Sequence, residues 1–226
     1  MGYGVVLGKT FAVGDITPER QSLVTMANEV ARRLLSSVKA GMRSWELTTL
    51  IENFLRSSGF KGVQGLAAHN HERWDIQGPK TINLWPTAAQ RDDTLNDITF
   101  QEGEVYTFEV WLTSDNHPEP REASEMETTL YQYLGSRTNL DLTTLPSAEA
   151  DVAKYCDAQF ASFPFNVREV GIEVGPATWR KLQERGSLGI YPPFVVKSKG
   201  ASVAQCVASF VVTANGTVCL SNEILH

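Results

Sequence analysis

The spacing of apolar residues along this chain changes from helix-like to strand-like, and this change constrains the fold more than any other feature. At 17–19 the residues Thr, Pro and Glu supply an N-cap, a preset first turn and an early negative charge. The apolar residues that follow recur every three or four positions, which predicts an amphipathic helix that ends before Gly41. They are Leu23, Ala27, Val30, Ala31, Leu34 and Val38.

A second helix is predicted directly afterwards, with Ser44 as its cap and Gly59 as its end. Residues 105–112 then alternate with a period of two, which predicts a strand with Tyr106 on its apolar face and Glu109 on the opposite face. Further helices are predicted over 148–160 and 176–184, and a strand pair over 202–220 turns at the Asn-Gly pair 215–216. Because regular βαβ spacing is lacking, this order favours an α+β fold with a curved antiparallel sheet.

Length and composition place the chain among compact proteins. Of its 226 residues, 42% are hydrophobic, which suffices for a sizeable core. Since the sequence has neither a run of about 18 apolar residues nor the layout of a signal peptide, we expect an intracellular protein without a membrane partner. Cys156, Cys206 and Cys219 are odd in number and widely separated, so we expect reduced thiols and no disulfide.

Charge and short motifs argue against several functions. A net charge of −6 is unusual for a protein that grips nucleic acid by itself, because such proteins concentrate Lys and Arg on one face. The glycines at positions 4 and 8 are separated by three residues, whereas a phosphate-binding loop needs four, so we expect no bound nucleotide. His71 and Glu72 begin a zinc-peptidase pattern that fails because position 75 is aspartate.

Four stretches resemble consecutive parts of type 2 methionine aminopeptidases, which have the pita-bread fold. They are Gly-Leu-Ala-Ala-His at 65–69, Glu-Gly-Glu-Val-Tyr-Thr-Phe-Glu at 102–109, Gly-Ile-Tyr-Pro-Pro at 189–193 and Ala-Gln-Cys-Val at 204–207. The resemblance implies that residues 1–226 form one partial pita-bread domain, with helices flanking the sheet. It also implies that the N-terminal strands and helices of the domain are missing, which would leave a sheet edge unpaired.

The same resemblance marks the positions of a dinuclear metal site. The aminopeptidases carry a histidine at the position of His69, glutamates at those of Glu109 and Val207, and an aspartate at that of Val6. A further aspartate would lie before the first residue of this sequence. A valine side chain offers no oxygen or nitrogen ligand. The resemblance therefore implies that His69 and Glu109 are vestiges of a site that holds no metal and that the protein uses no cofactor.

Gln77 stands where the aminopeptidases have a second, substrate-facing histidine. The segment 69–82 is similar in spacing, and in its closing Lys-Thr-Ile, to the proliferation-associated, ErbB-receptor-binding proteins, which keep the scaffold without a working metal site. This resemblance implies a non-catalytic pseudo-enzyme that binds a protein partner, RNA or ribosomal particles in ribosome biogenesis, translation or growth control. It also implies a cytoplasmic or nuclear location, including the nucleolus.

Two enzymatic interpretations stay open. A metal-dependent methionine aminopeptidase would use paired metal ions to activate water, with His69 and Glu109 among their ligands. A metal-free enzyme similar to the creatinases would use His69 as general acid and base.

One predicted helix carries a basic and aromatic cluster. Its members are Trp179, Arg180, Lys181 and Arg185, and Lys197 and Lys199 follow in the next loop. Such a cluster can stack on bases and contact phosphates, so it is the first candidate surface for RNA or protein. The alternative is a helix that presents its basic side chains only to solvent.

Overall fold

The computed structural model describes residues 2–92, 97–124, 126–135 and 141–221. The chain divides into two compact units, one of Met1–Arg121 with Val195–His226 and the other of Glu122–Phe194. That residues 1–226 form one partial domain stays a prediction. Along the chain, the second unit lies between the two segments of the first unit.

The first unit is built on an antiparallel sheet. Within the described ranges its strands follow the order β1-β11-β5-β3-β4, while β12 pairs with β11 and β2 pairs with β5. The bounds are β1 Gly8–Lys9, β2 Lys61–Gly62, β3 Ala67–His71, β4 Thr81–Asn83, β5 Val105–Thr113, β11 Val203–Thr213 and β12 Gly216–Cys219. The hairpin of β11 and β12 turns at residues 214–215, one position earlier than the sequence predicts, because Thr213 pairs with Gly216.

Helix α1, Pro18–Ser37, confirms the helix predicted from residue 17. The hydroxyl of Thr17 accepts a hydrogen bond from the Arg20 N–H at 3.4 Å, as the capping pattern predicts. The apolar stripe of α1 is buried against the sheet, where a leucine or valine side chain contributes about 1.5–3 kcal/mol.

Helix α2, Ser44–Leu55, begins differently from the prediction. Ser44 is the first helical residue, and Arg43 occupies the N-cap position without a side-chain hydrogen bond. The acceptor comes from the distant Asp97, whose carboxylate binds the Trp45 N–H at 3.2 Å and the Ser44 hydroxyl at 3.1 Å. A short helix α3, Ala88–Asp92, follows β4.

The core of the first unit lies between these helices and one face of the sheet. Tyr106, Phe108 and Phe210 are fully buried there, with ring centroids 4.4 Å apart between Phe108 and Phe210. The opposite face of β5 carries Thr107, Glu109 and Trp111, as the alternation predicts. This second face, which points away from α1 and α2, is called the site face below.

The second unit has its own core and a sheet of the order β8-β7-β9. Helices α4, Ser147–Phe160, and α5, Pro176–Glu184, match the predicted ranges to within one residue. The remaining elements are β6 Arg121–Glu122, β7 Leu130–Tyr133, β8 Pro164–Asn166, β9 Leu188–Tyr191, β10 Phe194–Val195 and the 3₁₀ turns Leu142–Thr144 and Val167–Glu169.

All three cysteines are free, and Cys156 and Cys206 are buried. Burial raises the pKa of both thiols to about 11, so they stay protonated at neutral pH. Across the described ranges, no helix has both the length and the apolar character needed to cross a membrane.

Candidate functional site

Three neighbouring strands bring the predicted metal-site positions together on the site face. Val207 of β11 lies directly opposite Glu109 of β5. His69 of β3 lies opposite Thr107, two residues from Glu109, so His69 and Glu109 are diagonal neighbours. The strand register thus places these three residues side by side, as their alignment with the aminopeptidases implies.

The donors in this group do not fit a dinuclear metal centre. Val207 is only 4% exposed, and its isopropyl group fills the place opposite Glu109 with carbon. Among the described residues, no group of three or more His, Cys, Asp or Glu side chains could hold a metal ion. A hard divalent cation needs more ligands than an imidazole and one carboxylate provide.

Glu109 lies in a half-buried environment that favours its neutral form. Burial raises the pKa of its carboxyl group, and this effect outweighs the opposing effects of the Trp111 N–H and of His69. The Trp111 Nε1–H donates to the carboxylate of Glu109 at 3.3 Å. A metal ion would stabilise the ionised form, whereas the neighbours that are present do so only weakly.

A buried chain of hydrogen bonds occupies the adjacent part of the site face. His71 Nδ1 lies 2.9 Å from the Gly4 carbonyl oxygen, so Nδ1 carries the proton and Nε2 accepts from the Thr107 hydroxyl at 2.8 Å. Thr107 in turn lies 2.7 Å from the hydroxyl of Ser209. Burial lowers the pKa of His71, which keeps the imidazole neutral.

This chain fixes the N-terminal segment on the site face. The Ser209 hydroxyl accepts from the Val6 N–H at 2.9 Å, and its single proton lies between the Thr107 hydroxyl and the Val6 carbonyl, which are 2.7 and 2.9 Å away. Val6, which the resemblance aligns with an aspartate of the aminopeptidases, is therefore held by its backbone groups rather than by its side chain. His71 lies on the same face as His69 because it is two residues further along β3. The roles of Thr107 and Ser209 were not predicted from the sequence. The only sequence signal for these two residues is a hydroxyl side chain between apolar neighbours, Tyr106 and Phe108 in β5 and Ala208 and Phe210 in β11.

Gln77 lies outside the strands, in the loop between β3 and β4. Its backbone N–H donates to the Asp75 carboxylate at 2.8 Å. The loop is closed by hydrogen bonds from the Asn70 N–H to the Lys80 carbonyl and from the Gly78 N–H to the Asn70 carbonyl. The His69 ring also points to this loop, with Nδ1 3.4 Å from the Gly78 carbonyl oxygen.

The basic cluster lies on α5 in the second unit, and its members have different surroundings. Lys181 and Arg185 both pair with the nearly buried carboxylate of Glu149, at 3.7 and 2.8 Å. The ring of Trp179 stacks on that of Tyr131, with centroids 5.6 Å apart. Arg180 is exposed, and no ion-pair partner for it is found in the part of the chain that the structure describes. As a binding surface, the cluster stays a prediction.

Comparison with protein families identifies residues 1–133 as a match to the metallopeptidase family M24. Among curated relatives, the curved DNA-binding protein of Schizosaccharomyces pombe is 26% identical and covers 98% of this chain and 57% of its own length. Proliferation-associated protein A of Dictyostelium discoideum is also 26% identical, over 95% of this chain and 55% of its own length. ErbB-3 binding protein 1 of Arabidopsis thaliana is 21% identical, over 100% and 56% respectively. The chain thus spans little more than half the length of these relatives.

Solved structures confirm the pita-bread fold. A thermophilic Arx1 superposes with a TM-score of 0.72 at 18% identity, over 96% of this chain and 63% of the other. Methionine aminopeptidase from Thermotoga maritima gives a TM-score of 0.55 at 14% identity, over 97% and 59%. These structures share the fold. Together with the family match over more than half of its residues, they show that the chain belongs to the metallopeptidase family M24, as a relative of the proliferation-associated and ErbB-3-binding proteins.

Proposed function

We propose that this chain is a non-catalytic, aminopeptidase-like scaffold that binds a protein partner, RNA or both. The observation that carries the proposal is the pairing of Val207 with Glu109, because it puts a buried isopropyl group where the aminopeptidases carry a metal-binding glutamate. The hydrogen-bonded segment at Val6 supports it, since the backbone there is tied to Ser209 instead of presenting a ligand.

The names of the relatives support binding as the activity. One is named as a curved DNA-binding protein and another as an ErbB-3 binding protein. The chain spans only part of each, so the partners of the whole protein are proposals here. The resemblance to proliferation-associated proteins supports a role in ribosome biogenesis, translation or growth control, in the cytoplasm or nucleus.

Within the second unit, the surface around Arg180 is the proposed contact. Arg180, Trp179 and Tyr131 border a cavity of about 500 Å³. An exposed guanidinium beside two stacked rings suits a phosphate next to a base, or an acidic side chain next to an apolar one. Lys181 and Arg185 hold the α5 helix on Glu149, so their charges are partly neutralised.

The contact can be tested by co-sedimentation with ribosomal particles. Arg180→Glu should reduce co-sedimentation strongly, because it reverses a charge without an intramolecular partner among the described residues. Lys39→Glu, which reverses the charge of an exposed lysine in the first unit, is the matched control and should leave co-sedimentation nearly unchanged. Equal co-sedimentation of Arg180→Glu and the parent protein would exclude the α5 surface.

The absence of catalysis is a separate claim with its own test. Hydrolysis of a Met-Ala-Ser peptide with added cobalt or manganese should not exceed that of a His69→Ala variant. Turnover that disappears in His69→Ala would favour the alternative, a methionine aminopeptidase or a metal-free enzyme that uses His69. The diagonal placement of His69 and Glu109 is the observation that favours this alternative.

A further inference from the structure

Residues 2–8 cross the site face from β11 toward β3 and are called the N-terminal edge below. The backbone groups of the even-numbered residues in this segment turn toward the sheet. Their contacts join Gly2 with Trp74, Gly4 with His71, Val6 with Ser209 and Gly8 with Val207. In a strand, the N–H and C=O groups of successive residues point to opposite sides. The backbone groups of the odd-numbered residues therefore point away from the sheet.

These odd-numbered residues, Tyr3, Val5 and Leu7, form a strand edge without a neighbour. Among the described residues, no group bonds to their backbone N–H or C=O. Their side chains are 55%, 47% and 63% exposed, so apolar surface accompanies the free backbone groups. The N-terminal edge thus offers both the hydrogen bonds and the apolar side chains that another strand can use.

The N-terminal edge also lacks the features that usually prevent strands from pairing. Natural sheet edges are protected by charged side chains, above all lysine, by proline or by a bulge. Residues 2–8 contain neither a charged residue nor a proline. The whole chain has a net charge of −6, so two copies repel each other over most of their surface but not at this edge.

The N-terminal edge is complementary to a second copy of itself. In the antiparallel register centred on Val5, Tyr3 lies opposite the partner's Leu7, and the two copies of Val5 lie opposite each other. Each outward N–H then meets an outward carbonyl of the other copy, and the apolar side chains pair on one face. A two-fold axis at Val5 relates the copies, so the contact closes after two chains.

We propose that the N-terminal edges of two copies of this chain pair as antiparallel strands and form a symmetric dimer. The exposed parts of Tyr3, Val5 and Leu7 amount to about 300 Å² per copy, below the roughly 800 Å² per partner of a standard interface. The dimer is therefore weak and reversible, with a dissociation constant in the micromolar range.

Sedimentation equilibrium of the whole chain, from micromolar to millimolar concentration, tests the proposal. The parent protein should follow a monomer–dimer equilibrium. Val5→Lys and Val5→Glu should each stay monomeric, because either variant places two like charges opposite each other at the two-fold axis. An equimolar mixture of the two variants should dimerise again, since a lysine then lies opposite a glutamate.

Two further variants separate this contact from unspecific association. Val13→Lys, at a 91% exposed position outside the N-terminal edge, is the matched control and should dimerise like the parent. Leu7→Lys, at an exposed position of the edge, removes both pairs of Tyr3 with Leu7 and should weaken the dimer about tenfold. Circular dichroism confirms that each variant is folded.

Three results would overturn the proposal. A parent that stays monomeric would leave the edge to an extended segment of a different protein. A dimer that persists in both Val5→Lys and Leu7→Lys would place the contact elsewhere on the chain. A mixture of the folded lysine and glutamate variants that stays monomeric would contradict the register centred on Val5.

Discussion

Replacing Val207 with glutamate restores the aminopeptidase residue at that position, and its effect on stability follows from the strand register. Val207 and Glu109 are direct cross-strand partners, so their Cβ atoms are about 5 Å apart. At that separation and an effective dielectric constant of about 20, two carboxylates repel each other by about 3 kcal/mol. Without a metal ion between them, Val207→Glu should lower the free energy of unfolding by this amount in addition to the lost apolar burial.

The control is Val207→Gln, which has nearly the same shape but no charge. Both variants lose the buried isopropyl group, at a cost of about 1.5–3 kcal/mol. At pH 7 the glutamate variant should be about 3 kcal/mol less stable than the glutamine variant. The repulsion raises the carboxyl pKa values in the folded state, so this difference should vanish below the ordinary glutamate pKa and grow as the pH rises above it.

Urea unfolding at pH 4 and pH 7, followed by tryptophan fluorescence, measures the difference. Equal stability of the two variants at pH 7 would refute the reasoning, because it would mean that the side chains at 109 and 207 do not face each other. A difference that persists unchanged at pH 4 would refute the electrostatic cause.

Three further predictions concern neighbouring parts of the first unit. Burial raises the pKa of Glu109 above its ordinary value of 4.5, so ionisation of this group lowers the free energy of unfolding as the pH rises above that value. Glu109→Gln should therefore stabilise the protein at pH 7 but not at pH 4, in the same urea assay. Gly62→Ala places a methyl group against the Trp85 ring and should destabilise by about 1–3 kcal/mol or more, whereas Gly216→Ala, with no atom within 4 Å of its added Cβ, should change the melting temperature little. Ser209→Ala removes the acceptor of the Val6 N–H and should lower the free energy of unfolding by about 1–3 kcal/mol. It should also speed proteolysis near residue 6, whereas replacing the exposed Ser36 of α1 by alanine should not.

Elements with a local signal could be predicted from the sequence. The Thr17 cap, the alternation in β5 and the bounds of α5 are all set by neighbouring residues, and they match the structure. His69, Glu109 and Val207, which the resemblance to the aminopeptidases assigns to one vestigial site, lie on three paired strands, but their register was not predicted.

Contacts between distant parts of the chain could not be predicted. Asp97 caps α2 from beyond α3, and His71 binds the backbone of Gly4. Neither contact leaves a periodic pattern in the sequence. For the same reason, the sequence did not predict that the buried carboxylate of Glu149 pairs with Lys181 and Arg185 on another helix. From the sequence alone, these two cations could not be distinguished from Arg180, which has no ion-pair partner among the described residues.

Titration calorimetry with manganese tests the central claim, that His69 and Glu109 without further ligands form no dinuclear site. Protein purified without chelator should show no saturable binding at the concentrations that load a methionine aminopeptidase. Saturable binding of two ions per chain, abolished in Glu109→Gln, would contradict the claim and would restore the site face as a peptidase active site.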